Sequence, residues 1–183
     1  LAILGGLADT LRRGGSNLGS RPPAETVLVI LAALLVVAGT AVGALHVIAP
    51  LNLLDTAVGG ANFTFVVGAA VLGVGAGLHH WVDELTGPEG HRDGLILLGG
   101  LAIAFGVVLS GVTDLISGLL DQTDFTGVTL AAAGNPNSGV DALNLVSMIG
   151  SFAVVGGLVT WMLAGGLVTA ANRTSGNGER GGA

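Results

Sequence analysis

Apolar positions in this chain fall into four long runs almost free of charge, in place of the alternations or narrow stripes of a soluble fold. The first covers about Thr26 to Ile48, the second Ala57 to Trp81, the third Gly94 to Leu120 and the fourth Ala142 to Ala171. Each exceeds the ~20 residues a helix needs to cross a bilayer. Runs this long and continuous are unlike the ~10-residue alternating segments of a membrane barrel, so helices are the expected spanning structure. The first run is entered through Arg21, Pro22, Pro23 and Glu25, with the prolines at a helix start, where a missing N–H costs little. The pattern predicts an all-α membrane protein with four transmembrane helices in an up-down bundle. Residues 1–25 are expected to form a cytoplasmic or interfacial segment, 26–171 the membrane domain, and the Gly-, Ser- and Asn-rich 172–183 a disordered tail. Leu1 to Leu11 reads as an interfacial turn or as the tail of an earlier helix. Starting at Leu1 and not at Met, the chain is expected to be processed or a piece of a longer reading frame. No small-residue cleavage site follows the first run, so it reads as a span and not as a signal peptide.

Composition supports this picture. Hydrophobic residues make up 51% of the 183 residues and charged residues 10%, with a mean hydropathy of +0.81. A soluble domain carries about 25% charged residues, so this chain lacks the polar groups to coat a globule. Soluble enzymes, nucleic-acid binders and secreted disulfide scaffolds are poor fits, and lipid is the expected surrounding. With no cysteine, thiolate metal sites and disulfides are excluded. All 6 basic residues are Arg, against 12 acids. An acidic, Lys-free composition stays hydrated in strong salt, pointing to the cell membrane of a halophilic archaeon. The 33 glycines suit transmembrane helices that pack closely.

The arginines also predict orientation. Arg12, Arg13 and Arg21 precede the first run, Arg92 lies between the second and third, and Arg173 and Arg180 follow the fourth. The other two loops carry Asp55, Asp121, Asp124 and Asp141 but no Arg. Every basic residue thus falls on one side, which the positive-inside rule makes cytoplasmic, together with both termini.

Few residues are candidates for chemistry. His79 and His80 adjoin Trp81 at the expected cytoplasmic end of the second span, where an interfacial anchor is the plain reading. A metal or haem site is the alternative, although neighbours on a helix point about 100° apart and do not readily share one ion. His46, near the outer end of the first span, is an intramembrane imidazole and so a functional candidate; His91 sits in a charged loop and reads as solvated. Asp114 is the carboxylate inside a span, with Ser110, Thr113 and Ser117 nearby in sequence. It reads either as a proton-pathway group or as a carboxylate reaching outer water. Gly73-Val74-Gly75-Ala76-Gly77 imitates a nucleotide fingerprint, but no strand precedes it, and in mid-span it reads as close helix packing.

One stretch carries a family resemblance. Asp55-Thr56, then Ala61-Asn62-Phe63-Thr64-Phe65-Val66-Val67-Gly68, then Gly77-Leu78-His79-His80-Trp81 and Leu85-Thr86-Gly87 resembles the tenth helix of subunit I of haem-copper terminal oxidases, the cytochrome c oxidase family. Leu143-Asn144-Leu145-Val146-Ser147-Met148-Ile149-Gly150-Ser151-Phe152 is similar to the opening of that family's twelfth helix, and Gly118-Leu119-Leu120 faintly to the stretch after its eleventh. The resemblance covers roughly Thr26 to Leu167 and implies the ninth to twelfth helices, running from cytoplasm to cytoplasm.

The departures lie at the ligands. The family's His-Phe-His binds two haems through histidines about 200° apart on the helix. Here Asn62 and Thr64 hold those positions, and neither an amide nor a hydroxyl replaces imidazole as a strong axial iron ligand. The arginine pair that meets the haem propionates in the family is missing, since no Arg lies between Arg92 and Arg173, and the chain has no Tyr. The resemblance therefore implies a non-catalytic or partial component of a respiratory oxidase. No cofactor is expected in this chain alone, with haem entering only if the family ligation is replaced. Other oxidase subunits or further copies of the chain are the implied partners. The residues alone leave open an unrelated four-span protein with a structural or small transport role.

Overall fold

The computed structural model describes residues 24–48, 51, 53, 56–86, 92–119 and 138–178, with 82–86, 92, 138–141 and 165–178 described by their backbone alone. They form α1 (Ala24–His46), α2 (Val58–Thr86), α3 (Arg92–Leu119) and α4 (Ser138–Gly178). All four are long and apolar enough to cross a membrane, over Ala24–His46, Val58–Trp81, Asp93–Leu119 and Ala142–Ala164. These are the four runs read from the sequence. The loops bearing His91, Asp55, Asp121 and Asp124, and the arginines Arg12, Arg13, Arg21 and Arg180, lie outside the described residues.

Local chemistry sets the helix ends. α1 begins directly after Pro22-Pro23 with Glu25 in its first turn, where a carboxylate meets the positive end of the helix dipole. It closes through Val47 N–H to Ala44 O and Ile48 N–H to Leu45 O, both 3.2 Å, a tightening that occupies carbonyls left over at a helix end. Thr56 caps α2. Its hydroxyl donates to Leu53 O (2.8 Å) and accepts from Val58 N–H (3.4 Å), while its carbonyl takes Gly59 N–H. α4 continues as helix to Gly178, past the end expected near Ala171 and into the tail expected to be disordered. Extending an existing helix adds a hydrogen bond per residue without a new nucleation cost, which overrides the weak helix preference of Asn, Ser and Gly.

Packing follows the small residues. α1 buries Ala24, Leu28, Ala32, Leu35, Gly39 and Val42, a stripe at spacings of three and four. Gly39 lies against Phe65 and Val66 of α2, Gly43 against the side chain of Asn62, and Ala32 near Gly73. Between α2 and α3, Gly68 receives Val107, Gly111 receives the Phe65 ring, and Gly118 lies on the backbone of Val58. The closest approach joins α3 and α4. A Cβ on Gly157 would stand 2.5 Å from Gly99 O, one on Gly99 2.9 Å from Gly157 O and one on Gly150 2.8 Å from Gly106 O, while one on Gly106 would overlap Gly150 O. The two reciprocal pairs sit one heptad apart on each helix, so α3 and α4 touch backbone to backbone. In hydrocarbon this matters: lipid is as apolar as Leu, and helices associate by dispersion and close polar contact, which small residues permit.

Exposure completes the picture. In the most apolar stretch of α3, 50% of the residues are buried within the protein, against 11% in that of α4. Leu34, Phe105, Phe152, Val155, Met162 and Leu163 all face outward. A water-soluble monomer rarely shows so continuous an apolar surface, whereas a bilayer covers it. Three threonine hydroxyls bond back along their own helix: Thr40 donates to Val36 O (2.7 Å), Thr113 to Leu109 O (2.7 Å) and Thr160 to Gly156 O (2.8 Å).

Candidate functional site

Two polar constellations occupy opposite ends of the bundle. At the first, the start of α1, the end of α2, the start of α3 and the later part of α4 come together. Trp161 of α4 is its centre. Its indole lies where a Cβ on Gly75 or Gly99 would have to be, touches Gly100, and donates from Nε1 to Ile96 O at 2.8 Å. Gly75 belongs to the glycine run that imitates a nucleotide fingerprint, and its role is to seat this ring. The His79 ring meets Trp161 edge-on, with centroids 5.4 Å apart and planes at 76°. His80 points elsewhere: it is exposed, with Nδ1 3.9 Å from Glu25 Oε1, too long for a hydrogen bond. The adjacent imidazoles thus diverge, as the helical turn requires.

His46 ends α1, half-buried, at the other end of the bundle from His79 and His80. The structure therefore does not gather His46 with His79 and His80. Among the described residues no three His, Asp or Glu side chains are placed to hold a metal ion.

The second constellation surrounds a cavity of about 410 Å³ between α2, α3 and α4. Thr64 of α2, Ser110 and Asp114 of α3, and Ser147 and Ser151 of α4 supply its polar lining. Asp114 is half-buried, little more than a turn from the end of α3 at Leu119. The hydroxyl of Ser110 crosses between helices to donate to Ser147 O (3.1 Å), and Ser151 donates to the same oxygen from its own helix, also at 3.1 Å. One carbonyl thus accepts two hydroxyls, which a second lone pair permits. Of the residues near Asp114 in sequence, Ser110 joins it in the cavity. Thr113 is buried and bonded back along α3, and Ser117 does not line the cavity. Thr64, Ser147 and Ser151 are partners that sequence neighbourhood does not reveal. The signal available was that each is a small polar residue within an apolar run.

Asn62 and Thr64, the positions that resemble haem-ligand sites, lie on different flanks of α2. The Asn62 carboxamide packs on Gly43 of α1, while Thr64 faces the cavity shared with α3 and α4. Neither carries an imidazole, and the remaining polar lining is hydroxyl and carboxylate, so these side chains do not fit a haem iron.

The fold and the four spans define the class, a multi-pass helical membrane protein. Beyond the class, no protein-family model matches the chain, and no curated protein or solved structure matches it significantly.

Proposed function

We propose that this chain is a haem-free relative of the C-terminal third of haem-copper oxidase subunit I, serving as a non-catalytic packing component of a respiratory terminal oxidase. It stands as an up-down bundle in the cell membrane of a halophilic archaeon, with both termini and the loop between α2 and α3 in the cytoplasm. The observation that carries the reading is the start of α2. The Thr56 cap leads into Ala61-Asn62-Phe63-Thr64, whose residues 62 and 64 face separate flanks, as two positions serving two haems would. Orientation is supported by the sequence positions of Arg21 before α1, Arg92 at the start of α3 and Arg173 beyond the α4 span. Partner subunits would meet the outward apolar faces of α2 and α4.

The test is a reduced-minus-oxidised optical spectrum of the tagged chain, purified from its own host in mild detergent and high salt. Co-eluting oxidase subunits, with a haem band that disappears when they are stripped away, support the reading. A haem band that stays with the isolated chain overturns its haem-free part. A clean protein with neither haem nor partner sinks the oxidase association.

The cavity favours a second reading, an unrelated four-span protein with a small transport role in which Asp114 lines the polar path. Asp114→Asn in proteoliposomes separates the two: a changed proton or ion flux supports transport, and an unchanged flux argues against it.

A further inference from the structure

The cavity has a chemical sign. Both hydroxyl protons of Ser110 and Ser151 are committed to Ser147 O, so the two oxygens offer only lone pairs to anything inside. Asp114 adds carboxylate oxygens to the same wall, and an ionised carboxylate only accepts. The hydroxyls of Thr64 and Ser147 rotate to suit a neighbour. The polar lining is thus biased towards hydrogen-bond donors and positive charge, and it opposes carboxylate or phosphate groups.

The cavity also has two ends. Thr64, Asp114 and Ser147 lie near the helix termini, while Val71, Ile103 and Val154 line it deeper in the bundle. Thr64 and Val71 are two turns apart on α2, or about 10 Å along the axis. The deep half gives water no partners, so water alone does not suit it. A bare divalent ion does not suit it either, because six to eight oxygens are the usual requirement and one carboxylate with scattered hydroxyls is a poor set. Phe63, Val67 and Val155 line the cavity and are also exposed on the outer surface, so it opens towards the acyl chains. Its volume lies within the ~300–1,000 Å³ of small-molecule sites.

We propose that the cavity between α2, α3 and α4 binds an amphiphilic amine entering from the bilayer, with its ammonium head among Ser110, Asp114 and Ser151 and its apolar body along Val71, Ile103 and Val154. This proposal rests on the cavity and not on the oxidase reading, and the two fail separately.

The test uses the full chain in mild detergent and high salt, with n-decylamine as the probe. n-Decanol, decanoate and n-decyltrimethylammonium control for micelle partition, for charge sign and for charge without N–H donors. Binding is read by equilibrium dialysis and by the shift in thermal midpoint followed by circular dichroism. Saturable decylamine binding is expected, about tenfold tighter than that of decyltrimethylammonium, in line with charge-assisted hydrogen bonds. Decanoate is expected not to bind saturably. Ser151→Val and Asp114→Asn are each expected to weaken decylamine about tenfold while the helical spectrum stays intact. Val154→Phe, which fills the deep end, is expected to abolish binding. The proposal is overturned if decylamine binds no better than decanol or the quaternary ion, or if folded Ser151→Val and Asp114→Asn variants bind it as tightly as the parent.

Discussion

The Trp161 end and the Asp114 end of this bundle solve the same problem in opposite ways. At the first, the Trp161 indole enters a socket made of glycines from two other helices, and its single polar atom bonds Ile96 O. At the second, hydroxyls and a carboxylate stand beside Phe63 and aliphatic side chains on the walls of three helices, and about 410 Å³ remains between them. In lipid, where apolar burial drives little association, tight packing holds helices together and polar cavities are left for ligands. The contrast teaches that close packing and open polar space here occupy separate ends, joined by the glycine contacts between α3 and α4.

Substitutions at the tight features test that division first. Gly106→Leu drives a side chain into the backbone at Gly150 and is expected to cost more than the ~1–3 kcal/mol usual for overpacking, because a carbonyl cannot swing aside as a side-chain tip does. Loss of a cooperative thermal transition in detergent would register it; a near-parental midpoint would show that the two backbones are not in contact. Trp161→Ala empties the glycine socket and is expected to cost about 3 kcal/mol, the low end for deleting a buried Trp. Denaturation by a strong detergent, followed by circular dichroism, measures this. Equal stability of the variant and the parent would remove the tight end from the comparison.

Sequence alone reveals the framework of this contrast but not its pairing. Length and apolarity locate all four spans, and Pro22-Pro23 foreshadows the start of α1. The mating glycines were not legible. Gly156 and Gly157 are neighbours, yet a Cβ on Gly156 meets nothing within 4 Å while one on Gly157 strikes Gly99 O. Only the relative rotation of α3 and α4 separates them, and that depends on both helices at once. Asp114 stood out as a charge within an apolar run. Its companions Thr64, Ser147 and Ser151 come from other helices, where a lone hydroxyl in a span carries little signal of its own.

Smaller effects sharpen the comparison. Thr56→Ala removes the cap of α2 and is expected to destabilise by about 1 kcal/mol, seen as a lowered thermal midpoint with binding in the cavity unaffected. Ser110→Ala deletes the interhelical hydrogen bond to Ser147 O and is expected to cost about 0.6 kcal/mol, the average for such bonds in membranes. If Ser110→Ala proved as damaging as Trp161→Ala, the polar end would be a structural keystone and the division between the two ends would collapse.

The backbone contacts at Gly99, Gly106, Gly150 and Gly157 also have a mechanical consequence. With no side chains between them to compress, α3 and α4 behave as one stiff plate. α2 is pinned to that plate at both ends, at Gly75 by the indole of Trp161 and at Val58 by its backbone contact with Gly118, with Val107 in the hollow of Gly68 between them. The stretch of α2 between these two pins, from Thr64 to Val71, is the one that walls the cavity. Clamped above and below, the three walls of the cavity keep a fixed spacing, so a guest enters by movement of side chains such as Phe63 and not by the parting of helices.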